Sequence, residues 1–182
     1  MVRRLAVAVA VAVAVALSLG IAAVAGAAEG AAPASASGEA RVDGKPLVLA
    51  HAYLFHAPDN WSPEKINPVV LITVKPVDGA ALAAAKTLGE ALDLAPERVA
   101  VEVRNGGEKA DLSICHPGFG EGMCYSTGIF PPEWSAAEAP AGHAAGSVKT
   151  FTGEEETVFQ KYQLFYKFSY DAAPVRDFDR RR

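Results

Sequence analysis

The sequence is poor in the residues and motifs that mark a particular chemistry. It contains only two cysteines and four histidines among 182 residues. Neither the G-x-S-x-G motif of serine hydrolases nor the H-E-x-x-H motif of zinc peptidases occurs in it. No pair of metal-ligating residues stands at a recognised spacing. We therefore expect no cofactor, and we favour a non-enzymatic role over an enzymatic one.

An export signal occupies the N-terminus. A cationic start at Met1–Arg4 precedes an apolar stretch from Leu5 to Val24 and the small residues Ala25–Ala28. This order predicts a secretory signal peptide over residues 1–28, cleaved after Ala27 or Ala28. An uncleaved anchor is the alternative, because about 20 apolar residues can span a bilayer. The Ala/Val composition favours cleavage, since stable anchors are richer in larger apolar side chains.

Removal of the signal peptide changes the charge and hydropathy of the chain. It leaves 15 basic and 21 acidic groups, a formal charge of −6, and takes away the main source of the positive mean hydropathy. A nucleic-acid partner normally requires a basic surface, so none is expected. The export signal predicts a periplasmic or extracellular protein that meets the membrane only before cleavage.

Alternating apolar residues predict a mainly β domain. Asp43-Gly44 is a tight-turn dipeptide that precedes a central strand over Leu47–Phe55, which is apolar on both faces. Asp78 is placed to cap a helix running from Gly79 to Leu92. Further strands are predicted at Val69–Val74, Val99–Arg104, Ala110–Cys115, Gly146–Phe151 and Val158–Tyr170, with a long surface excursion over Ile129–Gly146.

The order of elements predicts one β-sandwich or open barrel with one helical insertion. An α+β fold, with a helix on one face of an antiparallel sheet, is the alternative. The single domain is predicted over residues 39–171. A flexible lead-in over 29–38 precedes it, and a disordered tail over 172–182 follows it.

Cys115 and Cys124 are the pair available for a disulfide. Pro117 and three glycines stand between them and allow the chain to reverse. In an oxidising compartment, two cysteines at this separation predict a disulfide that closes a loop. Such a small ring stabilises a fold by on the order of 2–3 kcal/mol.

Two stretches of the sequence resemble an uncharacterised group of exported bacterial β-rich proteins. In that group G-K-x-x-x-L-x-H-A-Y precedes V-L-[LI]-[TS]-x-K-P, and the matching residues here are Gly44-Lys45, Leu49, His51-Ala52-Tyr53, Val70–Thr73 and Lys75-Pro76. The resemblance covers the first half of the predicted domain. It implies an envelope or secreted β domain and brings no established activity.

Five aromatic residues fall in predicted loops: Trp61, Phe119, Tyr125, Phe130 and Trp134. Exposed loop aromatics commonly hold a sugar ring, a peptide or a lipid edge. Alternatively, they fold back and anchor the loops on the core. The first hypothesis is therefore a non-enzymatic binding or structural module of the envelope or extracellular space, with a protein, glycan or lipid partner.

Four residues supply the second hypothesis, a copper- or zinc-binding protein: His56, His116, Met123 and His143. Ordinary core or surface histidines are the alternative interpretation. A hydrolase with an unrecognised site is the third hypothesis. A Cys115 nucleophile with His116 as base is disfavoured, because strand neighbours point apart and the disulfide removes the thiol.

Overall fold

The described part of the chain consists of ten strands and two short helices. The computed structural model describes residues 34–59, 62–139, 141–151 and 156–178. The predicted signal peptide and residues 29–33 of the lead-in lie outside them. The strands are β1 (Ala34–Val42), β2 (Lys45–Pro58), β3 (Ile66–Thr73), β4 (Arg98–Arg104), β5 (Lys109–Cys115), β6 (Cys124–Ile129), β7 (Trp134–Ala137), β8 (Ala144–Lys149), β9 (Thr157–Phe159) and β10 (Tyr162–Asp177), and the helices are α1 (Gly79–Ala84) and α2 (Leu88–Asp93).

The strands form one curled sheet, a half-barrel. From edge to edge their order is β6-β5-β4-β3-β2-β1-β10-β8-β7, and β9 lies beside the first part of β10. All pairings in the described residues are antiparallel except that between β2 and the second half of β10. The prediction of a mainly β fold with a helical insertion is confirmed, and the open barrel is the form observed.

The centre of the sheet begins with the predicted hairpin. Asp43 and Gly44 both have positive φ angles, 51° and 74°, which suit the tight turn that joins β1 to β2. β2 then lies beside β1, β3 and, farther along, β10. The prediction of a central strand is confirmed.

Side chains of β2 change faces half-way along the strand. Leu47 and Leu49 belong to the cluster inside the curl, and so do Ala52 and Leu54. Strict alternation would have put the second pair on the other face. The pairing of β1 with β2 shifts register over the same stretch, between Ser35 and Gly38 of β1, so the change of face coincides with an irregularity in this ladder.

Two hydrophobic clusters lie on opposite faces of the sheet. The interior cluster draws on nine strands, and its largest fully buried side chains are Trp134, Tyr166, Leu54, Ile72, Leu112, Ile114, Ile129 and Leu164. The outer cluster joins β2 and β3 to the helices through Tyr53, Phe55, Val69, Leu71, Leu82 and Ala91. The helices therefore cover the part of the outer face that β2 and β3 form.

The predicted helix over 79–92 is divided into two. Asp78 caps α1 as expected, because its carboxylate accepts a hydrogen bond from the first turn. The chain leaves helical geometry at Ala85, where ψ is 133°. Thr87 then caps α2 by accepting the Glu90 N–H at 3.1 Å, in the T-x-x-E spacing of a capping box. That second start signal is the reason for the break.

The ordered domain extends beyond its predicted bounds at both ends. β1 begins at Ala34, so residues 34–38 are strand and not flexible lead-in. Gly38 allows a close approach there, since a Cβ on it would lie 2.2 Å from the Lys167 carbonyl oxygen. β10 continues to Asp177, and Phe178 is buried in the outer cluster, so residues 172–178 are not a disordered tail.

The segment predicted as a long surface excursion contains β7 and the start of β8. These strands are rich in alanine, serine and glycine, so they lack the apolar alternation that identifies a strand. Val158 is also placed differently from the prediction. It lies in β9, 74 % exposed, and the positive φ of Gln160 turns the chain into β10.

Candidate functional site

A groove runs along the end of the sheet where β3 ends, β4 begins and β5 turns into β6. We call it the end groove. It consists of two adjoining clefts of about 430 Å³ each, which share Pro96 and Glu97. The helix-side cleft is lined by Thr73–Asp78, Ala81 and Leu94–Glu97, and the disulfide-side cleft by Asp93, Pro96–Arg98, Cys115–Pro117 and Gly120–Cys124. Each cleft has a volume typical of ligand sites.

The predicted disulfide forms a wall of this groove. Cys115 at the end of β5 and Cys124 at the start of β6 lie opposite each other, with Cα atoms 4.1 Å apart and the sulfurs bonded. Cys115 is 4 % exposed, whereas Cys124 is exposed. The bond is compatible with an oxidising, exported location. In the described part of the chain, no helix has the length and apolar character needed to cross a bilayer.

His116 is buried next to the disulfide, with 3 % of the residue exposed. Its Nδ1 accepts a hydrogen bond from the Gly118 N–H at 2.8 Å and caps the short turn Pro117–Phe119. Burial lowers the pKa of His116, while the Lys45 backbone and the charge of Glu97 act in the opposite direction. An accepting Nδ1 places the proton of the neutral ring on Nε2. His116 is therefore an N–H donor without a free lone pair for a metal.

Carboxylates outnumber cations along the end groove. Its charged side chains are Asp78, Asp93, Glu97 and Glu121 against Lys75 and Arg98. Glu97 and Glu121 are exposed, and neither forms an ion pair or hydrogen bond with another residue in the described ranges. Leu94 and Met123 add exposed apolar surface, 42 % and 47 % exposed. The groove thus offers negative charge beside apolar contacts.

Arg98 lies across the strands from the disulfide. The register places Arg98 on β4 opposite Cys115 on β5, and Cys115 opposite Cys124 on β6. Side chains at such opposed positions share one face of the sheet. The guanidinium donates to the Ala95 carbonyl at 3.0 Å and lies 3.9 Å from the Asp93 carboxylate. Burial lowers the pKa of Arg98, and Asp93 opposes that shift.

A second charged region surrounds Arg104 at the other end of β4. Arg104 pairs with Asp59 at 2.6 Å, with Glu102 at 3.2 Å and also with Asp111. The Asn67 amide donates to the carboxylates of Asp59 and Glu102 at 2.9 and 2.8 Å. The side chains of Arg104 and Asp59 are only 12 % and 8 % exposed, so this network ties together strands and a loop. The alternation in β4 predicted outward charges but not their partners.

Two of the predicted loop aromatics belong to the interior. Phe119 is 3 % exposed and Trp134 2 % exposed, so the expectation that they face a ligand is wrong. The Tyr162 hydroxyl donates to the Phe119 carbonyl at 3.0 Å, and the Trp134 Nε1–H donates to the Tyr170 hydroxyl at 3.4 Å. Both aromatics anchor their segments on the core, which was the alternative interpretation.

The other predicted aromatics do not form one surface. Tyr125 is half-buried against Phe159, with ring centroids 4.6 Å apart, near the start of β6. Phe130 follows the end of β6 and is 54 % exposed. Trp61 lies outside the described residues. Tyr125 and Phe130 therefore lie at opposite ends of β6 and cannot stack together on one ligand.

Two of the predicted metal ligands are histidines paired with aspartates of β10. His56 donates from Nδ1 to Asp177, and His143 from Nδ1 to Asp171, each at 2.8 Å. His56 lies near the end of β2, whereas His143 precedes β8. Each pair ties a neighbouring segment to β10.

The predicted metal set is brought together only in part. Of its four members, the structure places His116 and Met123 at the same cleft. The protonated Nε2 of His116 is itself buried, so the Met123 thioether is left without an imidazole partner from it. Within the described ranges, no three His, Cys, Asp or Glu side chains are grouped in a way that could hold a metal ion.

One catalytic spacing that the sequence does contain is S-x-x-K, at Ser62–Lys65. On a helix this spacing brings the two side chains onto one face. Here the four residues form a turn closed by the Lys65 N–H and the Ser62 carbonyl at 2.8 Å. The turn provides no helical face on which the hydroxyl and amine would meet.

Comparison with protein-family models, with curated proteins and with solved structures finds no match for the chain. The end groove is thus the feature from which a function can be inferred.

Proposed function

We propose that the protein is an exported, non-enzymatic binding module that holds a basic, extended segment of a partner protein in the end groove. One observation carries the proposal. Two adjoining clefts share Glu97, and the exposed carboxylates of Glu97 and Glu121 lack a cationic partner among the described residues. A lysine or arginine of the partner would supply the missing charge, and electrostatic complementarity of this kind sets specificity and association rate.

A protein segment fits this groove better than a glycan or a lipid. Sugar rings are usually held by exposed aromatic faces, and among the described residues no Phe, Tyr or Trp lines either cleft. Anionic lipid headgroups would be repelled by the carboxylates. A segment with basic and apolar residues can place its charges near Glu97 and Glu121 and its apolar side chains on Leu94 and Met123, the two exposed apolar residues of the groove.

Export remains part of the proposal. The N-terminal signal supports it, and so does the resemblance of the first half of the domain to exported bacterial proteins. The Cys115–Cys124 bond is compatible with the oxidising compartment that export would provide.

The test uses protein purified from the exported fraction of a bacterial host, where its N-terminal residue should be Ala28 or Glu29. A fluorescent decapeptide of alternating lysine and leucine is the probe, and its Glu/Leu counterpart is the control ligand. The basic peptide should bind, and raised salt should weaken binding. The double variant Glu97→Gln/Glu121→Gln should bind about tenfold more weakly.

The matched control is Glu64→Gln/Glu138→Gln, which removes the same charge from exposed positions outside the groove. It should bind like the wild-type protein. If both double variants lost peptide affinity equally, the binding would be general charge attraction, and the end groove would not be a specific site. Preferential binding of the acidic peptide would contradict the proposed partner.

A further inference from the structure

We infer that the Cys115–Cys124 disulfide is a site of thiol–disulfide exchange, attacked at the Cys124 sulfur by an external thiol of neutral or positive charge. The inference goes beyond the proposed binding function and does not depend on it. Three structural features lead to it: the unequal exposure of the two cysteines, the edge position of β6, and the position of Arg98 opposite Cys115 at the same cleft.

The first step in the inference concerns access. A thiolate attacks a disulfide sulfur in line with the bond, from the side opposite the leaving sulfur. The bond crosses from β5 to β6, and β6 has no strand on its far side among the described residues. Attack on exposed Cys124 therefore comes from the open edge of the sheet. Attack on buried Cys115 would have to come from over β4, where Arg98 lies.

The second step concerns the leaving group. When an external thiolate bonds to Cys124 Sγ, the bond between the two protein sulfurs breaks and its electron pair remains on Cys115 Sγ. Arg98 stands opposite Cys115 on the neighbouring strand. A positive charge beside a cysteine stabilises its thiolate, and a more stable thiolate leaves faster. The cation is thus on the side of the bond where negative charge develops.

The complete reaction balances without a further oxidant or reductant. A second external thiolate attacks the mixed disulfide at its external sulfur and releases the Cys124 thiolate. The two external thiols are oxidised to one disulfide, and the protein disulfide is reduced to two thiols that take up the two protons. Because β5 and β6 would then be joined only by backbone pairing at this point, the loop over residues 116–123 would lose its covalent closure.

The third step concerns which thiol reacts. Glu97 and Glu121 line the same cleft as the disulfide. Their charges repel an anionic thiol and attract a cationic one. At equal thiolate concentration, cysteamine should therefore react faster than glutathione, by about threefold or more. Glu121→Gln should bring the reaction rates of cysteamine and glutathione closer together.

The principal test maps the first adduct on the folded wild-type protein. The protein is treated briefly with cysteamine, the reaction is stopped, free thiols are alkylated and the peptides are analysed by mass spectrometry. The expected pattern is cysteamine on Cys124 and the alkyl group on Cys115. The reversed pattern, or exchange only at denaturant concentrations that unfold the protein, would overturn the inference and leave the bond a structural closure.

Arg98 is tested by rate. Arg98→Gln should slow the exchange by about threefold, because Cys115 loses its stabilising charge, and Arg98→Lys should recover most of the rate. Lys149→Gln removes an exposed cation on β8, away from the groove, and should leave the rate unchanged. Equal slowing by Lys149→Gln, or no slowing by Arg98→Gln, would contradict the inference. Circular dichroism checks that each variant is folded.

Discussion

Arg98 and Arg104 stand at the two ends of the same strand, β4, and on the same face of it. Arg104 is surrounded by three carboxylates within ion-pairing distance. Arg98 has one carboxylate at 3.9 Å, while two unpaired glutamates and a disulfide lie in the cleft beside it. The same residue type thus serves two purposes. At one end three carboxylates neutralise the arginine inside the fold, and at the other the arginine is similarly buried while the two glutamates beside it remain unpaired.

This difference follows from what covers each end. Arg104 and Asp59 are both largely removed from water, so their partners must be close. The loops around Arg98 leave a groove open to solvent, where carboxylates can remain hydrated without partners. Complete pairing therefore indicates a structural role, and incomplete pairing at an open groove indicates a surface for binding.

The largest expected effect is on stability at the Arg104 end. Arg104→Met should lower the free energy of unfolding by about 3 kcal/mol, because it leaves the buried Asp59 carboxylate and its neighbours without their cation. Arg98→Met should cost about 1 kcal/mol or less. Urea denaturation of both variants measures the difference. Equal losses would mean that the two ends of β4 are not distinct.

A smaller effect is expected in the pH dependence at His116. Since burial lowers the pKa of His116, the unfolded chain binds a proton more readily than the folded one. The stabilisation is complete above the unfolded value near 6.5 and is lost as the pH falls through the lower folded-state pKa. His116→Asn keeps an acceptor for the Gly118 N–H and does not titrate. The wild-type protein should therefore lose stability relative to this variant between pH 7.5 and 5.

A constant difference between the two proteins across that pH range would contradict the burial of a neutral imidazole. Urea denaturation at each pH is the measurement. The groove carboxylates are identical in the two proteins, so the difference between the proteins reports on His116.

The smallest effect is expected for the groove glutamates themselves. Glu97→Gln and Glu121→Gln should each change the free energy of unfolding by no more than about 0.5 kcal/mol, since both side chains are exposed and unpaired in the described structure. Glu102→Gln, which weakens contacts to Arg104, should cost more. Thermal or urea denaturation of the three variants measures these differences in the free energy of unfolding. A large loss from either groove variant would assign it a structural role.

Much of the sheet was predictable, because β4 and the first part of β10 alternate with a period of two, β2 and β3 are continuous apolar runs, and the first hairpin has a tight-turn dipeptide. The strands β7 and β8 were not predictable. They consist mostly of alanine, serine and glycine, which form backbone hydrogen bonds in a sheet but give no alternating apolar pattern. The switch of faces in β2 was also hidden. It coincides with an irregularity in the pairing with β1, and such pairing cannot be read from the periodicity of β2 alone.

The site was less predictable than the fold. The glycines and prolines near Phe119 and Trp134 predicted exposed loops. In the structure both side chains are buried in the interior cluster. Arg98 and Arg104 occupy equivalent positions in the alternation of β4. Their difference comes from residues distant in sequence: Asp59 pairs with Arg104 across 45 positions. Local sequence patterns contain no information about such partners.

The pairing of β1 with β10 also has a consequence for the route by which the chain folds. Residues 36 and 170 lie opposite each other in the middle of the sheet. The first strand of the domain therefore gains one of its two neighbours only after almost the whole chain is present. Such non-local contacts give a high contact order and slow folding, on the millisecond to second scale. A chain that completes its sheet this late can still be unfolded well after its first strands have been synthesised.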